Sequence, residues 1–445
     1  MAEKITADFS VSTGKVRKEL YGSGLHIFTA HRHIHDNTEV FKTLRFPIVR
    51  NHDWALNNPN QRMIDVHHIF PLMHLDPADE RNYVFGPSDE VIRLVYEAGS
   101  KVFYRLGTSI EHTEGVHFNA NPPEDFEKDA EVCAAIIRHY TKGWNNGFHY
   151  DMKYWEIWNE PDLLTENGSA TWQGTPEQFF ELYRVTAQHL KKCFPKLKIG
   201  GPALAGVLKW MEKFLSAMKQ PPRVPLDFFS WHFYGNNPKT AEEKAEIVRG
   251  LLDKAGYRKT ESILNEWNYV RNWHTQFVYS IRQIIGLKGA AFNAAVMSSM
   301  QDAPVDMLMY YDARPTIWNG LFDFYTYAPL KSYYVFAAWA KLVRLGRQFE
   351  VDVKGKNGLT ATGATDGKGR IGILFSRYFE QDDLPGELPL TLNVKGFDMR
   401  GAKLCLVDET HDLTEIPYRM DKDGNLLFSM KANTVMYLEA GKAEK

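Results

Sequence analysis

The sequence is poor in cysteine, and it has no long apolar run. Three cysteines occur among 445 residues, Cys133, Cys193 and Cys405, and none belongs to a CxxC pair or a metal-ligand pattern. They predict buried thiols in a reducing compartment and argue against a disulfide framework. The N-terminal residues MAEKITADFS lack the apolar core of a signal peptide, and no stretch approaches the length of a membrane span. We therefore expect a cytoplasmic chain, although a leader that had been trimmed away would leave no trace.

An excess of one charge sign is also missing. The chain has 53 lysines and arginines against 55 aspartates and glutamates, which gives a formal net charge of −2. Without a basic surface, neither nucleic acid nor an anionic membrane is an expected partner, and a small neutral substrate is the default. The sequence leaves open whether the chain forms a homo-oligomer. Aromatic side chains are plentiful, with 11 Trp and 21 Tyr, but they suit sugar faces and large cores equally well.

Short apolar runs alternate with amphipathic stretches up to about Leu345. This alternation predicts a parallel α/β fold, and eight candidate strands fit a closed (β/α)8 TIM barrel. The candidate strands are Leu20–Phe28, Leu44–His52, Lys101–Leu106, Tyr154–Asn159, Lys198–Leu204, Asp227–Tyr234, Glu261–Trp267 and Asp306–Asp312. The predicted helices between them include Asp125–Tyr140, a helix that begins after Thr175, Lys239–Ala255 and Thr275–Met300. The segment His52–Pro87 is too long for an ordinary loop, which favours a lid or a binding loop.

The pattern changes near Gly346. Six short strands without intervening helices follow, and they predict a C-terminal antiparallel β-sandwich domain. These strands are Phe349–Val353, Leu359–Thr362, Arg370–Ser376, Leu388–Val394, Ala402–Asp408 and Thr434–Glu439. The opening segment Lys4–Val16 is predicted to add a strand to the same sandwich. We thus expect a catalytic barrel over residues 17–345 and a sandwich formed by residues 1–16 and 346–445.

Two glutamates stand at the carboxyl ends of predicted barrel strands, where this fold places its chemistry. Glu160 ends the fourth strand in the segment WEIWNEPD, and Glu266 ends the seventh in ILNEWNY. Glycoside hydrolysis requires one carboxylic acid that protonates the leaving oxygen and a second carboxylate that attacks or stabilises the anomeric carbon. A single glutamate at a strand end is more often solvated or paired with lysine. Two at matching positions predict the catalytic pair of a glycosidase.

Other polar and aromatic residues end the neighbouring strands. Arg50 ends the second strand, and its guanidinium is expected to keep a nucleophilic carboxylate ionised and oriented. Tyr234 is expected to donate a hydrogen bond to Glu266, and Asn159 to bind a sugar 2-hydroxyl. The predicted substrate-binding residues are His52, Asp53, Asn159, His232, Tyr234, Tyr311 and Trp318. No metal ligand and no cofactor are predicted.

These residues resemble the retaining glycosidases of glycoside hydrolase clan A and, within it, family 39, the β-xylosidase and α-L-iduronidase family. The resemblance rests on WEIWNEPD, on Arg50 and His52 of RNHDW, and on an N-terminal strand followed by a barrel and a sandwich. It implies that Glu160 is the general acid/base and that Glu266 is the nucleophile. It also implies that four residues bind the sugar or contact the catalytic carboxylates: Asn159, His52, His232 and Tyr234.

Three departures from family 39 leave the substrate open. The segment around Glu266 reads NEWN, where the family has TEFN and the family 51 α-L-arabinofuranosidases have DEWN; Asp53 replaces a glycine of the xylosidases; and no acidic pair follows the eighth strand. The resemblance implies a retaining exo-glycosidase, β-xylosidase-like, that acts on plant-type oligosaccharides. An α-L-arabinofuranosidase or another clan A glycosidase is the alternative. Retention predicts carboxyl groups about 5–5.5 Å apart, against roughly 6.5–9.5 Å in inverting enzymes, and a Glu160 pKa raised by anionic Glu266.

Two other classes of protein stay open. The histidines His31, His33 and His35 and the pair His67–His68 look like ligands of a metal-dependent barrel hydrolase. They do not lie at the strand ends that such a site would use, and a cluster in sequence does not supply converging geometry. The second class is a non-catalytic carbohydrate-binding protein, against which the paired carboxylates argue.

Overall fold

The structure is a computed structural model, and it describes residues 2–24, 38–52, 63–110, 117, 119–165, 168–169, 171–206, 208–315, 320–353 and 357–441. After strand β1 (Glu3–Lys15), eight parallel strands of the described chain close into a barrel. They are β2 (Gly22–Gly24), β3 (Ile48–Asn51), β4 (Lys101–Leu106), β5 (Tyr154–Ile157), β8 (Lys198–Leu204), β9 (Phe228–Gly235), β10 (Glu261–Tyr269) and β11 (Met307–Tyr310), with a hairpin of β6 (Leu164–Thr165) and β7 (Gly168–Ser169) after β5. The predicted TIM barrel is confirmed.

Helices connect the barrel strands. In the described residues they are α1 (Thr38–Leu44), α2 (Val66–Ile69), α3 (Gly86–Glu97), α4 (Phe126–Lys142), α5 (Pro176–Cys193), α6 (Leu208–Met218), α7 (Pro238–Lys254), α8 (Phe277–Ile284), α9 (Leu287–Ser299) and α10 (Lys331–Leu345). The helix ends follow local sequence signals. Thr175 and Gln178 form a capping box at the start of α5, and Gly143 ends α4 with a φ of 73°. None of these helices combines the length and apolar character that a bilayer crossing requires.

Several predicted elements have other bounds in the structure, and two of them differ most. One helix is predicted over Thr275–Met300, but the chain forms α8 and α9. Gly286 separates them, because its extended backbone, with φ −109° and ψ −169°, interrupts the helical conformation. The predicted strand Leu44–His52 shortens to β3, because Leu44 is the last residue of α1.

The C-terminal residues form a second sheet together with β1. Its strands after the barrel are β12 (Arg347–Asp352), β13 (Leu359–Thr365), β14 (Arg370–Arg377), β15 (Leu388–Val394), β16 (Lys403–Val407), β17 (Asp412–Ile416), β18 (Arg419–Met420), β19 (Leu426–Met430) and β20 (Thr434–Gly441). Their order in the described chain is β17-β16-β20-β14-β13-β12-β1-β15-β19-β18. Strand β1 pairs antiparallel with β12 and parallel with β15, so the sheet is mixed at that one place. The six predicted strands are present, whereas β17, β18 and β19 are not among the predicted ones.

The second sheet has two covered faces. Phe375 of β14 and Leu390 of β15 belong to one apolar core, so distant strands of the sheet fold over shared side chains. The opposite face of β14 packs on the barrel helices. Leu374 lies in the core of the barrel, and Ser376 Oγ donates to the Ala291 carbonyl of α9 at 2.8 Å. Burial of an apolar side chain such as Leu374 contributes about 1.5–3 kcal/mol to the free energy of unfolding, so the contact between the sheet and the barrel stabilises the fold.

Candidate active site

The turn after β5 places Glu160 at the mouth of the barrel. Trp158 and Glu160 have φ angles of 74° and 47°, so the backbone leaves the direction of the strand there. The Glu160 N–H donates to the Ala203 carbonyl at 2.9 Å, and Thr171 Oγ1 donates to the Glu160 carbonyl at 2.7 Å. These two bonds fix the backbone of Glu160, and its carboxylate is held at the carboxyl end of the strand.

Glu160 and Glu266 lie close together at the carboxyl end of the barrel, and both are buried. They are 7% and 4% exposed, and His232 lies between them. His232 Nδ1 is 2.7 Å from Glu160 Oε1 and 3.4 Å from Glu266 Oε2. A carboxylate oxygen of Glu160 lies within 4.8 Å of one of Glu266. The two predicted catalytic carboxylates are therefore close enough to touch the same sugar ring.

Arg50 connects three acceptors from its place at the end of β3. Its Nη1 donates to Glu266 Oε1 at 2.6 Å, its Nη2 to Asn159 Oδ1 at 2.7 Å, and its Nε to Glu156 Oε2 at 2.7 Å. The guanidinium is fully buried. A guanidinium that is bonded on all three nitrogens has one orientation, so it fixes the Glu266 carboxylate in turn.

Glu156 is a part of the site that sequence reasoning missed. Its carboxylate is fully buried in β5 and accepts from Arg50, from Ser230 Oγ at 2.5 Å and from Asn265 Nδ2 at 2.6 Å. One signal could have indicated it. An acid in the middle of a predicted barrel strand must point either to the helices or into the barrel, and both surroundings require a partner for the charge.

The Glu266 carboxylate is surrounded by donors. Tyr234 OH donates to its Oε2 at 2.7 Å, as predicted, while Arg50 holds Oε1. Burial raises the pKa of Glu266 above its ordinary value, and His232, Arg50 and the Tyr234 hydroxyl act against that rise. The expectation that Arg50 keeps this carboxylate ionised did not include burial, which acts in the opposite direction and outweighs it. Burial also raises the pKa of Tyr234 well above its ordinary value, so its hydroxyl stays a donor.

His52 reaches the other side of Glu266. Its Nε2 lies 3.6 Å from Glu266 Oε1, and its Nδ1 accepts from Arg105 Nε at 3.2 Å. Burial, aided by Arg50 and Arg105, lowers the pKa of His52 well below its ordinary value, so the ring is neutral. Since Nδ1 accepts, the network assigns the single ring hydrogen to Nε2, on the side of Glu266. Arg105 in turn donates to Asp65 Oδ1 at 2.6 Å, and neither residue was predicted.

His232 is neutral for the same reason. Burial lowers its pKa to about 4, and the nearby Glu266 opposes that shift. Its Nδ1 faces two carboxylate oxygens, so the tautomer with hydrogen on Nδ1 can donate to them. Its Nε2 is buried, and no group of the described chain forms a hydrogen bond with it.

The other predicted site residues are placed as follows. Asn159 is buried, and its Nδ2, which is also buried, lacks a hydrogen-bond partner among the described residues. Tyr311 is half-buried, and its ring centroid lies 6.4 Å from those of both His52 and Tyr234. Asp53 and Trp318 lie outside the described residues, as do His31, His33 and His35.

The donor atoms of Glu160, His232 and Glu266 converge within 4.8 Å, which is also the geometry of a three-ligand metal site. A cation there would lie beside the Arg50 guanidinium, whose charge opposes it. The histidines that first suggested a metal are elsewhere: His67 and His68 lie in α2, with their rings 4.7 Å apart.

Comparison with known proteins agrees with this geometry. The sequence profile of the family described as "Glycosyl hydrolases family 39" matches residues 28–280, more than half of the chain. The chain belongs to glycosyl hydrolases family 39. The predicted clan and family are confirmed. The match includes both glutamates, Arg50 and His232.

Individual relatives of this family 39 member match less of the sequence. A curated protein of Geobacillus stearothermophilus named "Beta-xylosidase" is 35% identical over 172 residues, which cover 34% of this chain and 32% of that protein. The chain thus matches about a third of the length of this curated relative.

Two solved structures match the fold of the family 39 chain over its whole length. They are a glucosidase from Croceicoccus marinus, with a TM-score of 0.80 and 23% identity, and a monomeric β-xylosidase from Caulobacter crescentus CB15, with a TM-score of 0.74 and 17% identity. Each comparison covers 100% of both chains. At these identities the likeness shows the shared fold.

Proposed function

We propose that this family 39 protein is a retaining exo-glycosidase, β-xylosidase-like, that removes a terminal sugar by double displacement. The observation that carries the proposal is the close approach of the buried Glu160 and Glu266 carboxylates, which have oxygens within 4.8 Å of each other. Oxygens this close favour the carboxyl separation of about 5–5.5 Å in a retaining enzyme over the roughly 6.5–9.5 Å of an inverting one. The β-xylosidase name of the Geobacillus relative supports the choice of sugar.

In the first step, Glu266 is the nucleophile. One of its carboxylate oxygens forms a bond to the anomeric carbon while the bond from that carbon to the leaving oxygen breaks. Glu160 gives its proton to the leaving oxygen, which departs as an alcohol. The contacts of Arg50 and Tyr234 with Glu266 orient the attacking carboxylate before the sugar arrives, so little reorganisation is needed during the reaction.

In the second step, Glu160 acts as a base. It takes a proton from a water molecule, whose oxygen bonds to the anomeric carbon as the ester bond to Glu266 breaks. The Glu266 carboxylate is regenerated, and the product keeps its anomeric configuration. His232 lies beside both carboxylates and stays neutral, so it can orient them without adding a charge to either step.

Several residues are proposed to hold the sugar. The unpartnered Nδ2 of Asn159 is a buried donor for the 2-hydroxyl, while Oδ1 is held by Arg50. Tyr311 is proposed to pack against the ring from its place between His52 and Tyr234. Asp53 and Trp318 remain predicted sugar contacts.

We assign the catalytic unit to residues 17–345 and the accessory unit to residues 1–16 and 346–445. Cys133 and Cys405 are buried as predicted, whereas Cys193 is exposed, so that prediction is wrong for Cys193; all three thiols are free, which supports a cytoplasmic location.

A panel of aryl glycosides tests the activity and the sugar together. We expect β-xyloside to be hydrolysed faster than α-L-arabinofuranoside, β-glucoside and β-galactoside. Glu266→Ala should abolish turnover, and azide should restore it with an inverted product, because the small anion replaces the missing nucleophile. Preference for the arabinofuranoside would favour the alternative substrate. Activity that disappears on chelation and returns with a metal ion would favour the metal-dependent class.

A further inference from the structure

An exposed tryptophan stands at the rim of the site, next to a residue that contacts the proposed nucleophile. Trp273, four residues after the end of β10, is 48% exposed. Its ring centroid lies 5.3 Å from that of Tyr234, at an angle of 73°, and Tyr234 donates to Glu266. About half of the large Trp273 side chain is thus open to solvent beside the site, and a flat aromatic ring can pack against the C–H face of a sugar.

The backbone that carries Trp273 is held in place by local bonds. The Arg271 N–H donates to Ser280 Oγ at 3.0 Å. Asn272 Oδ1 accepts from the N–H groups of His274 at 2.8 Å and Thr275 at 3.0 Å, so the side chain of Asn272 closes a turn around Trp273. The backbone at Trp273 is therefore held by bonds within the protein, and its ring packs against those of Tyr234 and Phe277.

The C-terminal sheet adds a second restraint on the same segment. Arg271 donates to Glu380 and, through Nη1, to Asp382 at 2.7 Å; both acids follow β14. Lys288 Nζ contacts Asp382 as well, at 2.9 Å. Tyr378 OH donates to the Asn236 carbonyl, in the loop after β9, at 2.5 Å. The loops that follow the strands of Tyr234 and Glu266 are thus both bonded to the accessory sheet.

We propose that Trp273 is the binding platform for the leaving-group sugar, the residue that departs when Glu160 protonates the glycosidic oxygen. This inference rests on the proposed function. The terminal sugar must contact the buried Glu160 and Glu266, so the next sugar of an oligosaccharide must lie farther out, toward the rim where Trp273 is exposed. A flat indole offers an apolar face to the C–H side of a pyranose and discriminates among leaving groups by their shape.

Two substrates with the same terminal sugar separate this role from a general one. The leaving group of xylobiose is a sugar, whereas the leaving group of β-D-xylosyl fluoride is a fluoride ion, which cannot stack on an indole. Trp273→Ala should lower kcat/KM for xylobiose about 10-fold, mainly by raising KM, because the indole contacts a whole face of the leaving-group sugar. With β-D-xylosyl fluoride the variant should stay within about 2-fold of the wild type, since the terminal sugar binds elsewhere.

Matched variants complete the experiment. Trp273→Phe should recover most of the xylobiose activity, and Val278→Ala, at a 64% exposed position of α8, should have no effect on either substrate. Equal losses of kcat/KM on both substrates, or no loss with xylobiose, would overturn the assignment of Trp273 as the binding platform. The proposed function itself would be overturned if the wild-type enzyme hydrolysed neither xylobiose nor β-D-xylosyl fluoride, and also failed to hydrolyse the disaccharide and glycosyl fluoride of every other sugar in the panel.

Discussion

Arg50 and Glu156 form a fully buried ion pair, with Nε 2.7 Å from Oε2, on the barrel strands β3 and β5. These strands are not neighbours, because β4 lies between them. The pair therefore crosses the interior of the barrel beneath the mouth. It leaves Nη1 of the same guanidinium for Glu266, so the charge of Arg50 is shared between two carboxylates.

Glu156→Gln should destabilise the protein and change its pH profile. The glutamine amide has one oxygen that accepts and one nitrogen that donates. At least one of the donors from Arg50, Ser230 and Asn265 would therefore face the amide nitrogen, which is another donor. We expect a loss of roughly 2–4 kcal/mol in the free energy of unfolding, measured by urea denaturation. Removing the negative charge of Glu156 should also lower the pKa of Glu266, so the acidic limb of kcat/KM should move to lower pH.

The control for this variant is Glu90→Gln. Glu90 is exposed and pairs with Arg93 at 2.8 Å. Exposed pairs contribute less than about 1 kcal/mol, so stability should hardly change. Similar stability losses in the two variants would mean that Glu156 is not a special support of the site.

Tyr234→Phe should move the acidic limb in the opposite direction. The hydroxyl donates to Glu266 and lowers the pKa of that carboxyl, so its removal should raise the pKa and shift the limb to higher pH. Hydrogen bonds to charged groups contribute about 1.5–3 kcal/mol, which corresponds to roughly a 10- to 100-fold fall in kcat/KM. Tyr325→Phe, at an 80% exposed tyrosine, should be indistinguishable from the wild type. An acidic limb of Tyr234→Phe that stays at the wild-type pH would argue against this contact.

Glu160→Ala should spare substrates that need no proton from the enzyme. Hydrolysis of a disaccharide should fall roughly 100- to 10,000-fold, the usual range for loss of a general acid. Aryl glycosides with strongly acidic leaving groups should still form the glycosyl-enzyme, and a burst of released phenol in stopped-flow measurements would show it. Disaccharide turnover near the wild-type rate would contradict the assignment of Glu160.

Stability should fall between pH 7 and pH 5 because of His232. Burial lowers the pKa of this residue in the folded chain to about 4, whereas the unfolded value is 6.5. As the pH falls through 6.5, the unfolded state takes up a proton that the folded state does not, and the difference amounts to about 2 kcal/mol at pH 5.

The lowered pKa of His52 adds to this loss and the raised pKa of Glu266 opposes it, so wild-type data alone do not isolate the effect of His232. His232→Gln should reduce the loss of unfolding free energy between the two pH values by about 2 kcal/mol, as measured by denaturation at both. The same pH dependence in both proteins would show that His232 is not buried in its neutral form.

The sequence contains enough to predict the barrel and the catalytic pair, because both leave local signals. The recurring apolar strands indicate the barrel, and Glu160 and Glu266 each end such a strand. Arg50 and Tyr234 were predictable for the same reason, and the structure places both in contact with Glu266.

The supporting network leaves no such signal. Glu156 lies inside a strand and could not be assigned a partner, since its donors come from β3, β9 and β10. Arg105 donates directly to His52, and Arg105 is itself held by Asp65, which lies 40 residues earlier in the sequence. Such long-range pairs are set by the closure of the barrel, which periodicity within one element does not encode. The split of Thr275–Met300 at Gly286 was missed because a single glycine is tolerated in many helices.

The pairing of β1 with β12 has a mechanical consequence for the barrel. The seam between β11 and β2 is short, with Met309 opposite Gly22 and Tyr310 opposite Ser23. The chain enters the barrel from β1 and leaves it into β12, and the Val16 N–H donates to the Gly346 carbonyl at 2.9 Å just outside that seam. Separating β2 from β11 would therefore also require breaking the longer ladder between β1 and β12, so the accessory sheet reinforces one of the shortest strand pairings of the barrel.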